Sequence, residues 1–298
     1  MKSVLVLFSM FLISTSNAQD WANLEHFRAD NAKIGLPATH ENRVVFMGNS
    51  ITIGWLNIMP GFFEGKPYIN RGISGQTTPQ MLLRFRQDVI ALQPSVVVIL
   101  AGTNDIAGNT GPSSLEMIAD NIKSMAELAE THGIKVVISS TLPAYDYPWK
   151  PGLEPAGKIV ALNKMLQDYA VLKGHVYLDY FSAMADERKG LPKKFANDEV
   201  HPTKLGYEVM APLAEAAISK ANKNSAFKDR TTNIEVTQEI VNLQADFELD
   251  QMQLELDRAN NQNRKQRHIY IAMIIIACLS IISLITLYLY FRAISKKK

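Results

Sequence analysis

Cysteine is nearly missing from this chain: Cys278 is the only one in 298 residues. It sits in an uncharged stretch near the C-terminus, so no disulfide can brace the rest, whose stability must come from a packed core. An excess of charge is missing too. Lysine and arginine number 31 against 29 aspartates and glutamates, a net charge of +2. Such a balance gives no bulk signal for nucleic acid or any other polyanion. The sequence has no His, Cys, Asp and Glu cluster at metal-ligand spacing, and neither a metal nor a cofactor is expected. Glycine and proline are absent from residues 233–267, and charge is absent from residues 269–291. Those two gaps set the C-terminal end apart from the body.

Residues 1–18 have the layout of a secretory signal. Lys2 precedes an apolar stretch from Val4 to Ile13, and Ser16-Asn17-Ala18 supplies a small-residue cleavage site. Gln19 rather than a cysteine would follow the cut, which argues against a lipoprotein anchor. Residues 269–291 predict a transmembrane helix: at about 1.5 Å per residue the run crosses roughly 30 Å of hydrocarbon. Tyr270, Tyr288 and Tyr290 lie near its ends, where aromatic rings favour the interface. Basic residues flank both sides, so the leader decides the orientation. The body is expected in the periplasm or outside the cell, with residues 292–298 as a short basic cytoplasmic tail. Between body and span, residues 229–268 place Val236, Ile240, Leu243, Phe247 and Leu254 at near-helical spacing. That pattern predicts a helical stalk or coiled coil, through which two copies could associate. Residues 19–228 remain as one globular domain.

Within it, Val44-Val45-Phe46-Met47, residues 96–100, Val136-Val137-Ile138 and Val176-Tyr177-Leu178 are continuous apolar runs. Unbroken rather than alternating patterning predicts strands buried on both faces. Pro67-Tyr68-Ile69-Asn70 is a weaker strand candidate. Helical stretches alternate with them. Thr78-Pro79 reads as a cap and first helical residue, Ser113 with Glu116 as a capping box, and 155–172 and 203–221 as further helices. The alternation predicts an α/β fold with a mainly parallel sheet, in which ligands bind at the carboxyl ends of the strands. Ser50, Gly72 and Asn104 each fall just after a strand candidate.

Four short blocks carry the chemistry: Gly48-Asn49-Ser50, Asn70-Arg71-Gly72, Gly102-Thr103-Asn104-Asp105 and Asp198-Glu199-Val200-His201. A serine hydroxyl needs a base to take its proton, and a histidine oriented by a carboxylate does this. Ser50 is the candidate nucleophile, His201 the base and Asp198 its carboxylate. His26, His40, His132 and His175 are competing bases without an acidic neighbour so placed, and Glu199 is an alternative acid. A tetrahedral intermediate also needs donors aimed at its oxyanion, and the N–H groups of Ser50 and Gly72 with the Asn104 amide form the candidate set. Asp105 is expected to do no more than cap its own helix.

In this order the four blocks resemble those of the SGNH hydrolases, the GDSL-type esterases and lipases. The likeness is to the bacterial branch of lysophospholipase-like, platelet-activating-factor acetylhydrolase-like and carbohydrate acetylesterase enzymes, and covers about residues 40–220. It implies a flavodoxin-like three-layer α/β/α sandwich, a cofactor-free Ser50-His201-Asp198 triad, and an oxyanion hole that includes Gly72 and Asn104. Asn49 departs from the family's usual Asp. Substrate selection is expected from the loop holding Tyr145, Tyr147 and Trp149, which would stack on a sugar, line an acyl groove, or pack on its own rings. Trp55 reads as core. The expected activity is that of a serine esterase on small acyl esters, acetyl on carbohydrate first. A lysophospholipase or short-chain lipase is the alternative, and a membrane-anchored ligand sensor signalling through its stalk is a reading of another class.

Overall fold

A computed structural model describes residues 20–223. The chain divides into two units, Met1–Lys228 and Asp229–Lys298, and all the described residues belong to the first. The expected leader, stalk, membrane helix and basic tail lie outside the described residues. Among the described residues, no helix is long and apolar enough to cross a membrane.

The sheet holds β1 (Val44–Gly48), β2 (Tyr68–Gly72), β3 (Val96–Leu100), β4 (Lys135–Ser139) and β5 (Val176–Leu178). All pairs are parallel, in the order β2-β1-β3-β4-β5, which is the flavodoxin-like arrangement. The register sets Gly48 opposite both Gly72 and Leu100. Three strands therefore end level with one another where the strand order reverses, and the segments that follow them share one crevice.

Eight α-helices, α1 (Arg28–Ile34), α2 (Ser50–Ile58), α3 (Thr78–Asp88), α4 (Thr103–Ile106), α5 (Leu115–Thr131), α6 (Ala156–Lys173), α7 (Tyr180–Met184) and α8 (Lys204–Lys223), and two short 3-10 turns, Pro60–Phe62 and Ile90–Leu92, complete the described residues. Because successive strand residues point to opposite faces, β1 feeds two cores. Val45 and Met47 pack with Met81 and Phe85 of α3, Ile118 and Ile122 of α5, and Leu162 of α6. Val44 and Phe46 pack on the other side with Trp55 of α2 and Tyr207 and Met210 of α8. Two helical layers thus sandwich the sheet. Trp55 is core, as its sequence setting indicates: its ring stacks on Phe62 at 4.3 Å and on Tyr207 at 5.4 Å.

Two helix starts differ by one residue from the sequence reading. Thr77, not Thr78, caps α3 and forms a capping box with Gln80, which moves Pro79 to the second helical position. Ser114, not Ser113, caps α5 and accepts from the Met117 N–H at 3.2 Å. Each site is a doublet of capping residues, so composition alone leaves the register open. At α3 the box settles it, since only Thr77 has a glutamine three residues on.

Candidate active site

At the end of β1 the chain turns sharply into α2. A Cβ at Gly48 would collide with the Thr52 side chain and come within 3.0 Å of the Leu100 carbonyl. Asn49 then caps α2, its Oδ1 accepting the Ile51 N–H at 3.1 Å. The neutral amide thus performs the capping that the family's usual Asp could perform, without adding a charge beside Ser50. Ser50 is the first residue of α2, so its N–H is among those that a helix leaves without an internal acceptor.

His201 Nε2 lies 2.9 Å from Ser50 Oγ, and His201 Nδ1 lies 2.6 Å from Asp198 Oδ2. The other carboxylate oxygen, Oδ1, accepts the backbone N–H groups of Val200 at 3.1 Å and His201 at 2.7 Å. Glu199 makes that turn possible by taking the left-handed conformation, φ 63°. The turn sets Asp198, rather than Glu199, against the imidazole. Partial burial pulls the Asp198 carboxyl upward, but the hydrogen bonds from the His201 ring and from the His201 and Val200 amides together hold it below its ordinary value. The carboxylate is therefore charged at neutral pH. Tyr207 of α8 donates its hydroxyl to the Ile51 carbonyl at 2.7 Å and so ties the helix after His201 to the helix that begins with Ser50.

Gly72 does not fill the role expected of it. It is buried, and its N–H donates to Asn70 Oδ1 at 2.9 Å. A Cβ there would collide with the Ile53 nitrogen and approach the Asn49 carbonyl to 2.8 Å. Gly72 is where β2 and the start of α2 come together, not an amide open to a substrate. The chain reaches solvent three residues later, at Gly75, which is exposed with φ 77° and has its carbonyl bound by Asn109 Nδ2 at 3.3 Å.

Asn104 is fixed from both sides: its Nδ2 donates to the Gln76 carbonyl at 2.9 Å and its Oδ1 accepts from Asn109 Nδ2 at 3.1 Å. A side-chain amide has a second N–H to give. Asp105 caps a helix other than its own. Its buried Oδ1 accepts the Thr78 N–H at 2.8 Å and the Thr78 hydroxyl at 2.6 Å, at the start of α3. Burial pushes its carboxyl up, against the pull of those two bonds. The segments 75–78 and 104–109 are thereby joined as one piece.

Sequence reasoning missed what stands behind this piece. Arg84 is fully buried, and its guanidinium donates to the Gly48 carbonyl at 3.0 Å, the Arg71 carbonyl at 2.8 Å and Gln76 Oε1 at 2.5 Å. It is paired with the equally buried Asp88 at 3.0 Å. A legible signal existed: Arg84 and Asp88 are one turn apart on the face of α3 that also carries Met81 and Phe85.

The aromatic loop divides. Tyr147 is 0% exposed and belongs to the core, so it cannot meet a substrate as the sequence reading expected. Tyr145 and Trp149 are 42% and 41% exposed. Asp146 staples the loop by accepting the N–H groups of Tyr147, Gly152 and Leu153 at 2.9, 2.6 and 3.1 Å. Lys150 adds a bond to the Ala107 carbonyl at 2.6 Å. Among the described residues, no group of His, Cys, Asp and Glu is placed to hold a metal ion.

This fold and these strand-end blocks define an ester hydrolase, and the chain belongs to the GDSL-like lipase/acylhydrolase family, whose pattern matches residues 46–209. Among solved structures, a GDSL-like lipase from Bacteroides thetaiotaomicron is 46% identical with a TM-score of 0.66, covering 67% of this chain and 98% of its own. An acetylxylan esterase of Xylanibacter ruminicola is 26% identical over 222 residues, 61% of this chain and 45% of the esterase. An uncharacterized lipoprotein of Bacillus subtilis is 34% identical over 93 residues, 30% of this chain and 38% of that protein. The chain thus spans less than half the length of these two curated relatives.

Proposed function

We propose that this protein is a serine esterase that removes short acyl groups, acetyl first, from carbohydrate. The observation that carries the reading is the unbroken hydrogen-bonded line from Asp198 through His201 to Ser50 Oγ, at 2.6 and 2.9 Å. As Ser50 Oγ attacks the ester carbonyl, His201 Nε2 takes its proton and Asp198 stabilises the imidazolium. The N–H groups of Ser50 and Gly75 and the free N–H of Asn104 receive the oxyanion, with Gly75 in the place expected of Gly72. The intermediate collapses as His201 returns the proton to the leaving alcohol oxygen. Water, deprotonated by the same ring, then frees the acid and restores Ser50.

The acetylxylan esterase relative supports the choice of a short acyl group on carbohydrate. The lipase neighbour favours the second reading, a lysophospholipase or short-chain lipase. We infer in addition that the esterase domain, 19–228, is exported behind the 1–18 leader. A 229–268 stalk and a 269–291 span would tether it, with 292–298 left in the cytoplasm, and the lipoprotein relative is consistent with a membrane-associated setting.

The test compares aryl acetate, butyrate and long-chain esters on the full chain, with Ser50→Ala as control. Serine-dependent turnover should fall steeply beyond acetyl, whereas turnover that rises with chain length replaces this reading with the lipase. Asn104→Ala should lower kcat by about 10²–10³-fold with KM changed little, because its amide binds the oxyanion and not the ground-state ester. Full kcat in that variant would remove Asn104 from the oxyanion hole.

A further inference from the structure

We propose that Trp149 is the alcohol-side subsite, a flat surface on which the sugar ring of the acetylated substrate stacks. The proposal rests on the serine-esterase reading above and gives it a direction. In that reaction His201 must hand a proton to the leaving oxygen, so the alcohol half of the ester lies within hydrogen-bond reach of His201 Nε2. The acyl oxygen points instead towards Asn104 and Gly75. Whatever flanks the His201 ring therefore flanks the alcohol. The Trp149 ring does so, its centroid 6.1 Å from that of the imidazole and its plane tilted by 41°.

One face of the indole is covered by Tyr147, whose ring lies 5.0 Å away at 19°. Tyr147 is itself immovable in the core, and Trp149 stays 41% exposed, so the open face is the one turned from Tyr147. The bonds that Asp146 and Lys150 make hold the loop in place before any substrate arrives. A ligand that stacks there pays little for ordering the ring.

The chemistry of that face selects the ligand. An indole presents a broad apolar surface with a negative quadrupole, which attracts the weakly positive C–H groups on one side of a pyranose ring. A quaternary ammonium headgroup would also favour such a face, but it binds best where several aromatic rings surround it. The other exposed ring of this loop, Tyr145, already has the Arg188 guanidinium over it at 4.6 Å. That guanidinium, itself paired with Asp186 at 3.3 Å, takes one face of the Tyr145 ring and so gives Trp149 little help in building an aromatic cage. A single flat indole face suits a neutral ring better than a cationic headgroup.

The experiment measures Trp149→Ala and Trp149→Phe in the full chain on three acetate esters: an O-acetylated methyl β-xylopyranoside, ethyl acetate and acetylcholine. Trp149→Ala should lower kcat/KM on the xyloside at least tenfold, mostly through KM, and on ethyl acetate less than twofold. Trp149→Phe should recover most of the loss. An equal fall on xyloside and ethyl acetate, or a fall on acetylcholine larger than on the xyloside, overturns the subsite. Calorimetric binding of the acetylated xyloside to Ser50→Ala, with and without Trp149→Ala, gives a readout that needs no turnover. If Ser50→Ala keeps wild-type turnover, the esterase reading fails by itself, whereas binding that ignores Trp149 fails this proposal alone.

Discussion

Ser50→Ala is expected to lower kcat by a factor on the order of 10⁶, and His201→Ala by about as much, with the double variant no worse than either single one. The reason is geometric. Ser50 Oγ and His201 Nε2 share one proton across 2.9 Å, so removing either atom removes the same step. Asp198→Asn should fall less, by about 10⁴-fold. Its Oδ1 can still accept the Val200 and His201 amides and hold the turn, but an NH₂ group then faces His201 Nδ1 and imposes the wrong tautomer. Turnover of an aryl acetate, with a thermal melt to confirm folding, decides the matter. Losses that multiply in the double variant would mean that the two side chains do not act as a unit.

Arg84→Ala should destabilise the fold by about 3–5 kcal/mol, because it takes the ion-pair partner from the buried Asp88 carboxylate and leaves it only the more remote charge of Arg71. For a domain of this size that is a fall in Tm of roughly 6–20 °C. Asn31 Nδ2, at 2.8 Å from Asp88 Oδ1, is a neutral donor and cannot make up the lost charge. Replacing the pair together, Arg84→Met with Asp88→Leu, should recover much of the Tm, since two apolar side chains do not leave a stranded ion. It should not recover kcat. The guanidinium also grips the carbonyl of Gly48, next to the nucleophile turn, and the side chain of Gln76, whose backbone carbonyl holds Asn104. Melting and kcat measured on the same preparations separate the two roles. A double variant as unstable as Arg84→Ala would locate the stabilisation outside the ion pair. A double variant with wild-type kcat would show that the grip on Gly48 and Gln76 has no catalytic consequence.

How far these features can be read from the sequence depends on how far their causes are local. Runs such as residues 96–100 are apolar throughout because a central parallel strand is covered on both faces, and that cause is written in the run itself. The blocks that contain Ser50, Asn104, Asp198 and His201 stand out because strand ends and tight turns restrict which residues fit. Three features depend on partners distant in the sequence and were not legible. Gly72 and Gly75 look alike in the chain; only the fold turns the Gly72 amide onto the Asn70 side chain and carries Gly75 to the surface. Tyr147 lies in a loop rich in proline and exposed aromatics, yet the surrounding core covers it completely. The sequence shows Asp105 as a residue near a helix start, but the helix it caps begins twenty-seven positions earlier, at Thr78.

The tie between α8 and α2 has a consequence in time. Ser50 and His201 are 151 positions apart, and the packing of α8 on β1 and α2, with the Tyr207 bond to Ile51 within it, brings the later half of the site to the earlier one. At about 5–20 residues per second of synthesis, the serine leaves the ribosome roughly 8–30 s before its base does. A copy that ends before residue 201 therefore carries Ser50 without its proposed proton acceptor, and is expected not to cleave esters. On the proposed reading, activity waits for α8, the last helix among the described residues, and synthesis of the first half of the domain yields none.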